Sequence, residues 1–347
     1  MIKPRVAING FGRMGRLALR EFLNKPSHRE SYDVVRLNDS AGEVATAAHL
    51  FEFDSIHGAL SRVNRCSVRV GEDDGGHPAL CIDDRALTYS RAAKLEAADW
   101  SDIDIVIDCT GAYRTSASLA PYFEAGVKKV VVSAPVKDGP LNVVYGVNDH
   151  LYEADTHHLV TAASCTTNAL APLISVLLSS FGLQRGAFTT IHALTNTQRV
   201  LDGFHKDLRR ARSSAASLIP TSTGSATAIF EIYPELRGRL EGTAIRVPVT
   251  QASLLDCTFE LGTAASADDV NKAFDEAANT SLKNIIGVEH RPLVSIDYEG
   301  ERRSAVLDAM STQVVDGSLL KLLAWYDNES GYVARMMQLV NLVARTL

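Results

Sequence analysis

The glycine spacing near the amino terminus constrains this chain more than any other feature. Val6-Ala7-Ile8 is a short apolar run that ends in Asn9-Gly10-Phe11-Gly12-Arg13-Met14-Gly15, after which Leu17, Ala18 and Phe22 recur near helical spacing. Strand, turn and helix in that order make Gly10-x-Gly12-x-x-Gly15 a dinucleotide-binding fingerprint. The glycines allow a tight turn, close backbone approach to a pyrophosphate and tight strand–helix contact. The helix start adds unpaired N–H groups and a positive dipole end. Asn9, Gly10, Phe11, Gly12, Arg13, Met14 and Gly15 are therefore candidate cofactor contacts.

Val34 to Leu37 reads as a second strand, followed by Asp39, an acid placed to bond adenosine ribose hydroxyls and repel a 2′-phosphate. NAD is the cofactor expected. Ile103 to Cys109 and Val130 to Ser133 are continuous apolar runs of the kind buried in parallel sheets. Residues 1–163 are accordingly read as a doubly wound α/β Rossmann domain. Within it, the polar, turn-rich stretch Gly71 to Pro78 predicts an exposed hairpin or insertion. Later, Phe188 to His192, Ala244 to Val247 and Leu254 to Phe259 look like longer strands, and Ala267 to Leu282 like a helix. They predict an α+β catalytic domain with a mainly antiparallel sheet over residues 164–330. Gly331 to Leu347 sets Val333, Met336, Met337, Val340, Val343 and Leu347 on one face of a helix that closes the first domain.

A length of 347 residues exceeds what one core usually serves, which agrees with two domains. The net charge of -6 gives no basic footprint for nucleic acid, and no apolar stretch is long enough for a bilayer. The expectation is a cytoplasmic protein with no nucleic-acid or membrane partner. Five cysteines, an odd number scattered without a C-x-x-C pair, argue against a disulfide framework or structural zinc, so no metal is expected. Among them Cys165 stands apart. Ser164-Cys165-Thr166-Thr167-Asn168 precedes the apolar helical run Ala169 to Leu178, which puts the thiol at a helix start and predicts a lowered pKa. His192 ends a strand-like run and is the candidate base, able to pair with the thiol as imidazolium and thiolate.

The glycine motif and the cysteine pentapeptide, with Arg246-Val247-Pro248 and Trp325-Tyr326-Asp327-Asn328-Glu329, resemble the glyceraldehyde-3-phosphate dehydrogenase family nearly end to end. Cys109-Thr110-Gly111, Val132-Ser133-Ala134-Pro135 and the run His205 to Arg212 extend the likeness. The resemblance implies a phosphorylating aldehyde dehydrogenase. Glyceraldehyde 3-phosphate would be oxidised with NAD on Cys165, and the resulting thioester cleaved by inorganic phosphate to 1,3-bisphosphoglycerate. It implies further cofactor contacts from Arg91, Thr110, Gly111 and Ser133, with Asn328 holding the nicotinamide carboxamide and Tyr332 packing nearby. It also implies two anionic pockets drawn from Thr195, Arg210, Thr223, Gly224 and Arg246, with Ser164 and Thr166 beside the attacking phosphate. The Cys165 N–H and the His192 side chain become candidate donors to the developing oxyanion. A homotetramer is implied, with residues 195–220 at an interface. Thr197 stands where bacterial members often carry an acid, and Gly203-Phe204 where many NAD-linked members carry Leu-Pro. Three alternatives stay open: a paralogue acting on erythrose 4-phosphate, one using arsenate as acyl acceptor, and an inactive NAD-binding interaction protein.

Overall fold

The structure, a computed structural model, describes residues 2–63 and 66–347. The chain divides into two compact units. The first runs to Tyr145, resumes over Asp149–Ala163 and includes Arg335–Leu347; the second comprises Gly146–Asn148 and Ser164–Ala334.

In the first unit, strands β1 (Arg5–Asn9), β2 (Asp33–Asn38), β3 (Val68–Glu72), β4 (Pro78–Ile82), β5 (Arg85–Ser90), β6 (Ile105–Asp108), β7 (Lys129–Val132), β8 (Leu141–Asn142) and β9 (Leu159–Thr161) form one sheet. Its order is β3-β4-β5-β2-β1-β6-β7-β9-β8, with every pair from β5 onward parallel. Helices α1 (Arg13–Asn24), α2 (Pro26–Ser31), α3 (Val44–Glu52), α4 (Leu60–Val63) and α5 (Ser116–Glu124) lie between strands. Every residue of β6 and β7 is buried, as a parallel sheet covered on both faces requires. Ala7, Val106 and Val130 pack there with Trp100, Leu119 and Tyr122. Strand order reverses between β1 and β6, and a crevice at the carboxyl ends of such strands is where doubly wound sheets take ligands.

The stretch read as an exposed hairpin or insertion is a hairpin: β3 and β4 pair antiparallel about an exposed turn, and β4 pairs with β5, so that the hairpin forms the edge of the main sheet with Ala79 to Ile82 buried. Helix α3 packs against both strands, which shelters them. The turn between them has its backbone held by Asp73 Oδ1, which accepts from the N–H groups of Gly75 and His77.

The second unit holds β10 (Leu183–His192), β11 (Ile219–Ser222), β12 (Leu240–Arg246), β13 (Ser253–Leu261), β14 (Ile286–Glu289), β15 (Ala305–Asp308), β16 (Gln313–Val315) and β17 (Leu319–Tyr326). The order is β11-β12-β10-β13-β17-β15-β14, with β16 on β17. All these pairs are antiparallel except β10/β12 and β14/β15. Along β13, buried and partly exposed residues alternate, the signature of a sheet packed on one face. Helices α6 (Cys165–Ser180), α7 (Ser225–Ile232), α8 (Ala267–Asn279) and α9 (Ser330–Arg345) complete the chain. Helix α9 buries more than the one face expected. Tyr332, Ala334, Arg335 and Leu339 are buried as well as Val333, Met336, Met337, Val340 and Val343, while Leu347, past the helix end, is exposed. The buried face is wider than a single stripe, and Gln338, Asn341, Leu342 and Arg345 form the partly exposed opposite edge.

Candidate active site

The first unit builds its cleft mainly from backbone. Gly10 sits at φ 87°, its N–H donating to the Asn38 carbonyl at 2.8 Å, and a Cβ there would lie 2.5 Å from the Thr110 nitrogen. A Cβ on Gly15 would lie 2.1 Å from the Gly10 carbonyl oxygen, so the helix can approach the strand this closely only without a side chain. Space above Gly12 is open, and α1 starts there with no side-chain cap, leaving its first N–H groups as donors. Asn9, Gly10, Gly12, Asn38, Asp39, Cys109, Thr110 and Tyr113 line the cleft. Asp39 is held by Oδ1, which accepts from Ala41 N–H at 2.8 Å, leaving Oδ2 for a ligand hydroxyl. This donor set and shape fit a dinucleotide: bare N–H groups for pyrophosphate, one carboxylate for ribose.

Several sequence candidates in this unit have other partners. Phe11 is buried with its ring 5.7 Å from Phe51, and Arg13 forms an ion pair with the buried carboxylate of Asp54. Phe11 can offer a ligand only backbone, whereas Arg13 keeps part of its guanidinium exposed. Met14 is partly exposed in the first turn of α1. Arg91 is exposed and paired with Glu43, and is not among the cleft residues. Gly111, at φ 66°, follows Thr110, whose hydroxyl donates to Asp108 Oδ1 at 2.7 Å; Ser133 N–H donates to the Asp108 carbonyl at 2.8 Å. Beneath the cleft runs a buried chain that sequence reasoning missed. Asn38 Nδ2 donates to Asn9 Oδ1 at 2.8 Å, Asn9 Nδ2 donates to the Tyr122 hydroxyl, and that hydroxyl donates to Asp108 Oδ2 at 2.8 Å. It ties together the ends of β1, β2 and β6.

In the second unit, side chains build the site. Ala163 takes φ 56°, a left-handed conformation that costs a residue with a Cβ about 1 kcal/mol. Its N–H is held by Thr161 Oγ1 at 3.2 Å. Ser164 then returns to extended backbone and caps α6, its Oγ accepting from Thr167 N–H at 3.1 Å. Cys165 thereby occupies the first helical position, with Sγ 3.4 Å from His192 Nε2. His192 ends β10, and the parallel register of β10 and β12 sets Arg246 directly beside it.

In the tautomer with hydrogen on Nδ1, the Ala193 carbonyl 2.7 Å away accepts it and Nε2 turns its lone pair to the thiol. Arg246 Nη1 donates to the same carbonyl at 3.0 Å and lies 2.6 Å from Nδ1, to which it donates in the opposite tautomer. Burial, then the Arg246 charge, then that of Arg210, lower the His192 pKa to about 3, against the raising effect of the Ala193 bond. Burial raises the Cys165 thiol, with Arg246 and hydrogen bonds at Thr166 acting the other way. The expected lowered thiol pKa is therefore corrected. Burial thus pushes the thiol up and the imidazole down, both against charge separation, and outweighs what one helix start returns. Cys165 retains partial surface exposure, so that opposition is weaker than in a sealed core. Tyr326, at the end of β17, braces both sides: its hydroxyl lies 2.9 Å from Thr166 Oγ1 and 2.7 Å from Thr190 Oγ1, and its ring meets His192 edge-on at 6.0 Å.

The candidate anion ligands fall into two clusters. Thr195 Oγ1 donates to Gln198 Oε1 at 2.8 Å, Gln198 Nε2 donates to Thr197 Oγ1 at 2.9 Å, and Arg210 Nη1 donates to the same hydroxyl at 3.3 Å. Arg210 is restrained by Asp207 at 3.5 Å, whereas Arg212 pairs with Asp202 and Arg209 is exposed. In the second cluster, Ser225 Oγ lies 3.3 Å from Ser164 Oγ and accepts from Thr223 Oγ1 at 3.1 Å. Gly224 caps α7 without a side chain, so α6 and α7 bring their starts together here. Arg246 Nε is buried without a partner. Two helix starts, hydroxyls and arginine donors form an oxyanion-binding set. Asn328 is buried, with Oδ1 accepting from Ser253 Oγ at 3.3 Å, and Tyr332 is buried in the first turn of α9. Sequence reasoning missed Tyr326, Thr190, Gln198, Ser225 and Ser253 as site builders; only the alternation that puts Thr190 on the His192 face of β10 was available as a signal.

Comparison with known proteins agrees with this geometry. Residues 4–116 match the family model described as glyceraldehyde 3-phosphate dehydrogenase, NAD binding domain, and residues 164–328 match that described as its C-terminal domain. The chain is 49% identical to glyceraldehyde-3-phosphate dehydrogenase 3 of Nostoc sp. over 349 aligned residues, covering 100% of both chains. It is 43% identical to glyceraldehyde-3-phosphate dehydrogenase 1 of Bacillus subtilis, covering 98% of each, and 42% identical to the Mycobacterium bovis enzyme, covering 99% of each. With a dinucleotide cleft in one unit, a thiol–imidazole pair in the other and likeness along the whole chain, the protein belongs to the glyceraldehyde-3-phosphate dehydrogenase family.

Proposed function

We propose that this chain is an NAD-dependent, phosphorylating glyceraldehyde-3-phosphate dehydrogenase that carries its acyl group on Cys165. The observation that supports this most is the 3.4 Å approach of His192 Nε2 to Cys165 Sγ, with Arg246 in register beside the imidazole. As Sγ forms a bond to the aldehyde carbon, His192 Nε2 takes the thiol proton, and the Cys165 N–H stabilises the alkoxide. That alkoxide takes the proton back from His192 Nε2 to give the thiohemiacetal, which leaves the imidazole free again. NAD, when bound, supplies the hydride acceptor for oxidation. His192 removes the hydroxyl proton of the adduct in that stage, and a thioester is left on Sγ. Phosphate oxygen then bonds to the acyl carbon, the C–S bond breaks, and the thiolate recovers its proton from His192.

The residue roles are part of the same proposal. Asn9 to Gly15, Thr110, Gly111 and Ser133 serve the pyrophosphate end of NAD, Asp39 the adenosine ribose, and Asn328 with Tyr332 the nicotinamide. Thr195, Arg210 and Arg246 bind the substrate phosphate; Ser164, Thr166, Thr223 and Gly224 bind the attacking phosphate. Arg91 takes a cofactor role only after leaving Glu43. Residues 1–163 with the closing helix act as the cofactor domain and residues 164–330 as the catalytic domain. The protein works as a cytoplasmic homotetramer. In support, Val200, Leu201, Phe204, Leu208 and Leu218 expose apolar surface within residues 195–220, and no helix among the described residues is long and apolar enough to cross a membrane.

NADH formation from glyceraldehyde 3-phosphate, compared with phosphate, arsenate and no oxyanion, tests the reading. Rapid phosphate-dependent turnover that Cys165→Ser abolishes is the expected result. Absence of turnover with every oxyanion overturns it.

A further inference from the structure

The second unit contains a hydrogen-bonded relay that none of the roles above uses. Ser253 opens β13 at 1% exposure, opposite Tyr326 in the antiparallel register with β17. Its Oγ accepts from the Ala193 N–H at 3.1 Å and donates to Asn328 Oδ1 at 3.3 Å. Ala193 is also the residue whose carbonyl lies 2.7 Å from His192 Nδ1. One buried hydroxyl thus touches the backbone that orients the base and the side chain assigned to the nicotinamide.

The direction of these bonds carries the argument. A backbone N–H can only donate, so one lone pair of Ser253 Oγ is committed to Ala193. The hydroxyl hydrogen is then directed to Asn328, and only the carbonyl oxygen of that amide can receive it. Turning the amide over would leave a buried hydroxyl hydrogen without an acceptor, which interiors avoid. The Asn328 amide is therefore held in one orientation, with its Nδ2 donors left for a ligand carbonyl. From the same hydroxyl, the Ala193 peptide is held where its carbonyl accepts from Nδ1 in the tautomer that turns the Nε2 lone pair to the thiol.

We propose that Ser253 is a positioning residue that sets, through one hydroxyl, both the donor face of Asn328 toward a carboxamide and the orientation of His192 toward Cys165. It rests on the reading of Asn328 as the nicotinamide contact. Removing the hydroxyl frees Asn328 to turn and loosens the Ala193 anchor, while the adenosine and pyrophosphate contacts lie in the other unit.

The test uses the full-length protein and binding measurements. Calorimetry gives the affinity ratio of NAD to ADP-ribose, which lacks the nicotinamide. Iodoacetamide alkylation of the cofactor-free protein, followed across pH, reports the orientation of His192. Ser253→Ala is expected to cut the NAD:ADP-ribose ratio by about three- to tenfold with ADP-ribose binding unchanged. It is also expected to displace the alkylation profile to higher pH, and Ser253→Thr, which keeps a hydroxyl, restores both. Asn328→Ala serves as the control. If Asn328→Ala lowers the ratio while Ser253→Ala leaves ratio and profile unmoved, the proposal is overturned and the nicotinamide assignment stands. If Asn328→Ala itself leaves the ratio unchanged, that assignment fails and takes the proposal with it. Equal loss of NAD and ADP-ribose binding in Ser253→Ala marks general destabilisation and also overturns it.

Discussion

The cleft of the first unit and the thiol site of the second are made from different materials. In the cleft, ligand donors are backbone N–H groups at a helix start, exposed because Gly10, Gly12 and Gly15 have no side chains in the way. At the thiol, donors and bases are side chains brought from α6, β10, β12 and β17, and the backbone supplies register. A backbone-built site depends on short-range geometry and fails when a Cβ intrudes. A side-chain-built site depends on strand pairing and fails when one functional group is removed. The two sites should therefore break separately.

The largest effect should come from Cys165→Ser, which removes the nucleophile. Dehydrogenase turnover should fall by roughly a thousandfold or more, while the NAD dissociation constant measured by calorimetry stays within about twofold. A matching loss of NAD affinity would erase the contrast between the sites. The converse variant is Gly10→Ala, in which a Cβ meets the Thr110 nitrogen at 2.5 Å in a backbone held at φ 87°. NAD affinity should drop by on the order of a hundredfold, and iodoacetamide should still alkylate Cys165 in the cofactor-free protein at the wild-type rate.

Charge sharpens the comparison further. The His192 pKa is lowered to about 3 by burial and by the Arg246 and Arg210 charges. An oxyanion beside those guanidinium groups offsets their contribution, so the imidazole accepts a proton more readily. The same oxyanion offsets the Arg246 charge that favours the thiolate, so millimolar phosphate should move the pH profile of Cys165 alkylation upward by about one unit, and Arg246→Leu should abolish that response. Stability follows from the same shift. The folded protein keeps His192 neutral below the ordinary histidine range, while the unfolded chain protonates there. From that group, stability is complete above about pH 6.5 and falls by up to about 1.4 kcal/mol per unit as pH drops toward 3. Thermal unfolding of His192→Asn should show a shallower acid limb.

The smallest effect should come from Tyr326→Phe, which removes the hydroxyl shared by Thr166 and Thr190. A fall in kcat of about three- to tenfold with KM nearly constant is expected from loosened positioning. A change confined to KM would place Tyr326 in substrate binding instead.

How much of this was legible depended on distance along the chain. The strand–glycine–helix unit was readable because its contacts fall within Val6 to Phe22, and Asp39 because it directly follows a strand. Cys165 was readable as a helix-start thiol from its own pentapeptide. The exposed β3–β4 turn was legible from its polar, glycine-rich run, but its place at the edge of the main sheet under α3 was not, because no local pattern reports that shelter. Helix α9 buries the face expected of Val333, Met336, Met337, Val340 and Val343, and the burial of Arg335 and Leu339 beyond it was set by what the fold packs there.

By itself the sequence determined the periodicities of strand and helix and the bare backbone of the glycine turn, and it singled out Cys165 and His192 as the candidate nucleophile and base. Only the tertiary structure decided the partners. Parallel pairing of β10 and β12 put Arg246 against His192, antiparallel pairing of β13 and β17 set Ser253 opposite Tyr326, and burial pushed the Cys165 thiol up and the His192 imidazole down. Local conformation is set by neighbours a few residues away, whereas electrostatic environment is set by whatever the fold packs around a group.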